Sequence, residues 1–303
     1  MVYDILVVGS GSAGLATGLA AGRRGLDVML FEKESIGGEL VNRHTIENFP
    51  GIPGTTGPVL RSTIIEQLEE DTVPITLATV EEIHDEEPFR LVTDSGEYHG
   101  RTVVIAGGGR PRKLDVPGAE EYDGRGIFYC AKCDGPLYAE EIVAVSGSDE
   151  WALADALYLT KYASKVIVIE EGDRLIAGGS LRERVDAHPD IGTKTGTEIR
   201  AVEGDDLLQR LTLVDADGNE RSERVGGLYV QQGIEPRGTS LAGKMVTTTD
   251  CGAIVVDQAL ETDRDGLFAA GDIRQHSSRT IPAAIGDGIT ACQSAVRRLE
   301  ANE

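Results

Sequence analysis

Cys130-Ala131-Lys132-Cys133-Asp134 carries the clearest chemistry in the chain. Two cysteines separated by two residues can close a small ring, so the pair can cycle between dithiol and disulfide. The carboxylate directly after the second sulfur is placed to carry the proton that such a cycle needs. Lys132, between the sulfurs, either favours a thiolate electrostatically or is simply solvated. Two other readings stand beside redox exchange: half of a zinc site, or two inert buried thiols. A zinc site needs four ligands, usually completed by a second Cys/His cluster. The remaining cysteines, Cys251 and Cys292, are isolated, and the five histidines show no spacing that implies a role. Redox chemistry is the expectation, and no metal is expected.

A redox pair needs a scaffold, and 303 residues suffice for two domains with cores of their own. Hydrophobic residues make up 40%, with 38 glycines and few aromatics, which fits a turn-rich α/β chain better than a disulfide-stapled one. No apolar run is long enough to span a membrane. The N-terminus enters a strand pattern at once (Tyr3-Asp4-Ile5-Leu6-Val7-Val8), without a basic leader or a small-residue cleavage site, so a cytoplasmic, reducing location is expected. Net charge is −22, from 51 acidic against 29 basic residues spread along the chain. A field of that sign repels nucleic acid and anionic lipid. It also disfavours an anionic protein partner unless salt screens the repulsion. The dispersed acidity resembles that of chains from salt-loving, halophilic organisms.

The elements that must hold a nucleotide come twice. Asp4–Val8 reads as a strand, Gly9-Ser10-Gly11-Ser12-Ala13-Gly14 as a turn into a helix running to Arg24, and Asp27–Phe31 as a second strand ending at Glu32. Glycines at 9, 11 and 14 let the backbone turn tightly and approach a pyrophosphate. The helix N-terminus faces the phosphates, and Glu32 accepts hydrogen bonds from a ribose. Such a turn between strand and helix, with the distal acid, is a specific signal. The unit recurs without a gap at an offset of 138: strand Glu141–Val145, Gly147 for Gly9, Ala152 for Gly14, strand Val166–Ile169, and Glu170 for Glu32. Two such units in one chain usually mean two nucleotide sites, one for a flavin and one for a nicotinamide.

The second unit departs where it matters. Asp149 stands in for Gly11, the position closest to a pyrophosphate, and Glu150 follows. At ~4 Å and an effective dielectric of ~20, one such charge pair costs roughly 4 kcal/mol, about a thousand-fold in affinity. Trp151 either packs ordinarily or fills a vacant nucleotide cleft.

Together these residues resemble the low-molecular-weight thioredoxin reductase family of flavoproteins over nearly the whole chain. Gly9, Gly11, Ser12, Ala13, Gly14, Glu32 and Lys33 look like its flavin-binding unit. Gly37-Gly38-Glu39-Leu40 and Ile46-Glu47-Asn48-Phe49-Pro50-Gly51 resemble the segments that wrap the flavin. Ala106-Gly107 opens what looks like the small-residue crossing between domains. Gly271-Asp272 resembles the late motif whose aspartate binds the ribityl chain, and Arg279-Thr280-Ile281 precedes the last helix where relatives usually show Arg-Gln. The resemblance implies FAD as cofactor and an α/β fold of two Rossmann-like, doubly wound domains, the second inserted into the first. Residues 1–114 and 246–303 would form the FAD domain, and 115–245 the inserted domain carrying the cysteines; homodimers are usual. It further implies that Cys133 exchanges electrons with the flavin, that Cys130 attacks a partner disulfide, and that Asp134 is the acid/base.

Relatives that use NADPH carry a His-Arg-Arg stretch and a further Arg that clamp the ribose 2′-phosphate. Here Glu170-Glu171-Gly172 and Ile176 stand there, so no cation is expected at that place. The leading expectation is an FAD-dependent disulfide reductase acting on a thioredoxin-like protein or a small disulfide, with ferredoxin or another carrier rather than NADPH as donor. Thioredoxin's potential, roughly −270 mV, leaves such a carrier thermodynamically adequate. Three alternatives stay open. One is use of NADH, with Glu170 on the ribose. Another is a dithiol oxidase passing electrons to oxygen. The last is a non-catalytic flavin-binding protein.

Overall fold

The computed structural model describes residues 1–43, 46, 48–52 and 54–301. β1 (Val2–Val8) turns apolar in its second half, and Ile5, Leu6 and Val7 are wholly buried. A strand covered on both faces needs this unbroken run. The chain turns at Gly9 into α1 (Ser12–Gly22) and returns as β2 (Val28–Glu32). Then come α2 (Gly57–Glu70), whose N-terminal cap Thr56 accepts the Val59 N–H, and β3 (Ile75–Leu77). β4 (Val80–His84), β5 (Phe89–Thr93) and β6 (Gly96–Ile105) form an antiparallel meander, and β7 (Gly109–Pro111) leads out.

The middle of the chain runs β8 (Ile127–Phe128), α3 (Ala131–Asp134), β9 (Ile142–Ser146), α4 (Glu150–Leu159), β10 (Lys165–Ile169), α5 (Gly179–Asp186) and β11 (Ile191–Lys194). A meander of β12 (Thr197–Gly204), β13 (Leu208–Asp215) and β14 (Glu220–Arg224) follows, then β15 (Gly227–Val230) and β16 (Ile234–Pro236). The chain closes with α6 (Thr239–Ala242), β17 (Leu267–Ala269) and α7 (Ile281–Ala301).

Two compact units result: residues 1–110 with 235–303, and residues 111–234. In the first, the sheet order is β3-β2-β1-β6-β5-β4, with β17 pairing the second half of β6. β1, β2, β3, β17 and that half of β6 are parallel. In the second, β11-β10-β9-β15-β8 is parallel throughout, beside the separate β12–β14 meander. Each central sheet has a hydrophobic cluster on either face. The fold is the α/β, Rossmann-like arrangement that the resemblance implied. The unit limits differ from those the sequence led us to expect. Residues 235–245 group with the first unit because Leu241, Ala242 and Met245 pack into its cluster with Ile254 and Ile273. Leu114, conversely, packs with Ile127 and Leu228 of the second.

Candidate active site and cofactor-binding units

Cys130 and Cys133 form a disulfide, their Cα atoms 5.3 Å apart. Cys130 is extended (φ −129°, ψ 95°) and caps α3, its Sγ accepting the Cys133 N–H at 3.2 Å. The turn is closed by the Asp134 N–H donating to the Cys130 carbonyl at 3.0 Å. Cys133 is exposed and Cys130 half-buried. Burial pushes the Asp134 carboxyl above the usual carboxylate range. Phe128 and Tyr138, on either side of the motif in sequence, stack with ring centroids 4.6 Å apart. Burial, and then the Asp134 charge, raises the Tyr138 phenol. Of the other cysteines, Cys251 is exposed, and Cys292 is buried with its thiol pushed up to about 11. Among the described residues no cluster of three His, Cys, Asp or Glu could hold a metal ion, and no helix is long and apolar enough to cross a membrane.

The first glycine turn is a convergence point. Gly9 has φ +102°, and a Cβ there would lie 2.5 Å from the Ala106 carbonyl oxygen. At Gly38 a Cβ would meet the Gly11 Cα at 3.3 Å, and at Gly271 the Ala13 Cβ at 3.0 Å. The turn, Gly38, Ala106 and Gly271 therefore meet at one place. Gly11 itself is extended (φ −68°), and beyond its Cα lies open space. The Glu32 carboxylate accepts from the Ser10 N–H and hydroxyl (3.0 and 2.8 Å) and from the Glu34 N–H (2.9 Å). Leu40 is buried, Glu39 is exposed, and Lys33 pairs with Glu34 at 3.0 Å. Thr280 accepts the Ala283 and Ala284 N–H groups at the start of α7, next to Ile281. Arg279 has φ +52° and donates its N–H to Ser277. Asn48 is exposed, and Glu47 lies outside the described residues.

Asp272 is largely buried, which raises its carboxyl; the Ser277 hydroxyl donates to it at 2.7 Å and opposes that shift. Beneath it lies a pair that the sequence did not advertise. Asp287 on α7 accepts the Gly271 N–H at 3.0 Å and both Nε and Nη2 of Arg274 at 2.6 and 2.7 Å. Their side chains keep 12% and 16% of their exposure. Removing one partner of a buried, bidentate pair strands the other charge. Asp287→Ala is expected to lower stability by about 3 kcal/mol in chemical denaturation. It should also loosen the Gly271–Asp272 turn, read as lost flavin absorbance after desalting.

The second unit repeats the glycine turn and the strand-end carboxylate, with Asp149 in place of Gly11 and Ala152 in place of Gly14. Gly147 has φ +112°, with a notional Cβ 2.1 Å from the Gln231 carbonyl oxygen. Ser148 donates its hydroxyl to Glu170, which also accepts the Gly172 N–H at 2.9 Å. Asp149 shares the backbone of Gly11 (φ −70°, ψ 177°), so a side chain costs nothing there. That side chain caps α4, its Oδ1 accepting the Ala152 N–H at 2.8 Å. Trp151, half-buried, lies in the first turn of α4. A cavity of about 430 Å³ opens beside Glu170, lined also by Arg174, Ile176 and Arg182. The expectation of no cation is corrected here. It holds for positions 170–172 and 176, but the loop to α5 and α5 itself bring two arginines to the same cavity. Arg182 is paired with Asp186 at 3.5 Å.

The chain belongs to the pyridine nucleotide-disulphide oxidoreductase family, whose description matches residues 3–288. Within it, the chain is 33% identical over 305 residues to the thioredoxin reductase of Bacillus subtilis (strain 168), covering 99% of this chain and 95% of that one. The crystal structure of Lactococcus lactis thioredoxin reductase in its FR conformation superposes with a TM-score of 0.94 at 31% identity, covering 99% of each chain. A ferredoxin-flavin thioredoxin reductase from Clostridium acetobutylicum gives a TM-score of 0.54 at 28% identity, covering 99% and 98%. The chain is thus a thioredoxin reductase-like oxidoreductase acting on disulfides, with FAD as its cofactor. The first unit fits that group: a close-packed glycine turn with open space at Gly11, a carboxylate held at the end of β2, and a second carboxylate at Asp272.

Proposed function

We propose that the chain reduces a thioredoxin-like protein disulfide through Cys130 and Cys133, as a cytoplasmic homodimer, with electrons from a ferredoxin-type carrier and not from NADPH. One observation carries the choice of donor. The Asp149 carboxylate occupies the end of α4 where a pyrophosphate would need bare N–H groups. The likeness to a reductase whose name includes ferredoxin supports the same choice.

FAD, when bound, supplies the two-electron exchange with the disulfide. The chain's own residues do the rest. Cys130 is assigned the attack, because the Cys133 N–H aimed at its Sγ favours a thiolate there. That thiolate displaces one sulfur of the partner disulfide, forming a mixed disulfide and releasing one partner thiolate. The Cys133 thiolate then attacks the Cys130 sulfur, restoring the internal disulfide and releasing the second partner thiolate. Asp134 is assigned the proton that a departing thiolate takes up.

Burial keeps the Asp134 proton in place to higher pH than on a solvated aspartate. Its contribution as an acid is therefore present below its folded pKa and lost as pH rises through it. Asp134→Asn is expected to lower turnover by roughly 10²-fold and to remove that limb from the pH profile of kcat/KM for a protein disulfide. An unchanged profile would show that the proton comes from elsewhere.

Anaerobic mixing with NADPH, NADH or reduced ferredoxin, with flavin absorbance as readout, tests the donor. Bleaching by ferredoxin alone is expected; rapid bleaching by NADPH refutes the proposal. The Glu170 carboxylate lining that cavity, an acceptor for a ribose 2′-hydroxyl, supports NADH as the second reading. Bleaching by NADH alone would establish it, and hydrogen peroxide formed from dithiols in air would mark an oxidase.

A further inference from the structure

The chain has carboxylates to spare, 51 acidic residues against 29 basic ones. Arg90, Arg182, Arg237, Arg264, Arg274 and Arg298 are half-buried, and each is paired with a carboxylate. Arg61 on α2 is half-buried as well and departs from this pattern. Its Nε donates to the Ile36 carbonyl, and among the described residues no carboxylate pairs with it. No acid stands three or four residues from it along the helix either. A guanidinium that loses part of its hydration without meeting an anion is disfavoured, so such a place fits an anion that the chain itself does not supply.

The placement of Arg61 says which anion. Leu60, Ile64 and Leu68, spaced four apart, are buried with Leu40 in one core cluster and pin α2 to the first unit. The start of α2 presses on the segment after Gly38: a Cβ at Gly57 would lie 1.8 Å from the Leu40 carbonyl oxygen. One turn further on, the Arg61 stem lies against Gly37, where a Cβ would meet Cδ at 2.7 Å. The Gly37 N–H donates to the Ser10 carbonyl at 2.9 Å, and Gly38 packs on Gly11. Arg61 is thus tied to the loop that touches the start of α1. That start is bare: no side chain caps it, and its first turn holds no acid. The acids around it are engaged elsewhere. Glu32 accepts from Ser10 and the Glu34 N–H, Glu34 pairs with Lys33 and Arg237, and Glu39 accepts from Asn42 at 3.5 Å.

We infer that Arg61 is a cofactor-binding residue whose guanidinium meets the pyrophosphate of FAD beside the uncapped start of α1. The inference rests on FAD as the cofactor and not on the choice of electron donor. A guanidinium presents planar N–H donors that match phosphate oxygens, and Nε alone is spent on Ile36. A local cation also offsets the field that a dianion meets on approaching a chain of net charge −22. The two units are then opposite in sign at corresponding places, with Arg61 beside the first glycine turn and Asp149 on the second.

The test uses the full-length chain loaded with FAD. The dissociation constant is read from the return of flavin fluorescence on dilution, and the bound pyrophosphate from phosphorus NMR. Arg61→Gln removes the charge with little loss of helix propensity. It is expected to weaken FAD binding about ten-fold at low salt, the deficit narrowing to about two-fold near ~1 M salt, and to shift a phosphorus resonance of the bound cofactor. Arg61→Lys keeps the charge but not the Ile36 bond, and is expected to stay within about three-fold of wild type. A Gln variant within about two-fold of wild type at low salt overturns the inference. Equal losses in both variants with the phosphorus lines unmoved also overturn it, and assign Arg61 to holding the Ile36–Gly37 turn. Wild type alone gives a further check that needs no variant to fold. Its FAD affinity is expected to fall as salt screens the attraction, and an affinity that rises with salt overturns the inference.

Discussion

Serine at Cys130 is expected to lower reduction of a protein disulfide by at least about 10³-fold, the scale on which removing a nucleophile acts. Serine at Cys133 should cost as much in turnover but leave a different trace. With Cys130 intact, attack still occurs, and the mixed disulfide with the partner cannot resolve. A one-to-one adduct sensitive to dithiothreitol is then expected on a non-reducing gel with Cys133→Ser and not with Cys130→Ser. The contrast is a real test because the structure pulls two ways. Exposure ranks Cys133 first, since it is exposed and Cys130 only half-buried. Hydrogen bonding ranks Cys130 first, since its sulfur accepts the Cys133 backbone N–H. Reactivity follows the thiolate, which that N–H stabilises, so Cys130 is the expected attacker. An adduct on Cys130→Ser instead would reverse the two roles.

Asp149→Gly is expected to raise affinity for NADH or NADPH by up to about a thousand-fold, because one carboxylate within ~4 Å of a pyrophosphate costs roughly 4 kcal/mol. Calorimetric titration of wild type and variant measures it directly. Loss of the α4 cap to glycine should cost only a few tenths of a kcal/mol, so unfolding is not a confounding outcome. Asp149→Asn separates the two contributions, since asparagine caps as well as aspartate but carries no charge. If charge is the barrier, Asn recovers most of the gain; if space is, only Gly does. No gain with either would locate the obstacle elsewhere in the second unit and remove the argument against a nicotinamide.

The repeat was legible because backbone geometry fixes its glycines, and its acids stand at the same place at the end of each second strand. Gly9 and Gly147 both need positive φ and both approach a carbonyl too closely for a Cβ, so the sequence had to keep them. Glu32 and Glu170 end equivalent strands and hold equivalent serines. Those serines, Ser10 and Ser148, were in plain sight, but their partner lies 22 residues on and nothing local marks the bond. Asp287 and Arg274 were not foreseen either. They are joined only because the turn after β17 folds back over α7, and neither belongs to a recognisable spacing. Arg174 and Arg182 were not legible at fixed positions of the repeat, because a cavity collects side chains from the loop and helix that border it. The limit near residue 245 moved for a similar reason: Pro and Gly mark where a chain bends, but Leu241 and Met245 decide which core it joins.

The Asp149 cap has a thermodynamic consequence for the second unit. A helix whose first turn is bare gains stability from an anion, so its melting temperature rises with the concentration of that anion. α4 carries its anion covalently, and the Ala152 N–H is already satisfied. On the function proposed above, folding of this unit therefore depends less on free phosphates and nucleotides than folding of a unit whose first turn is bare.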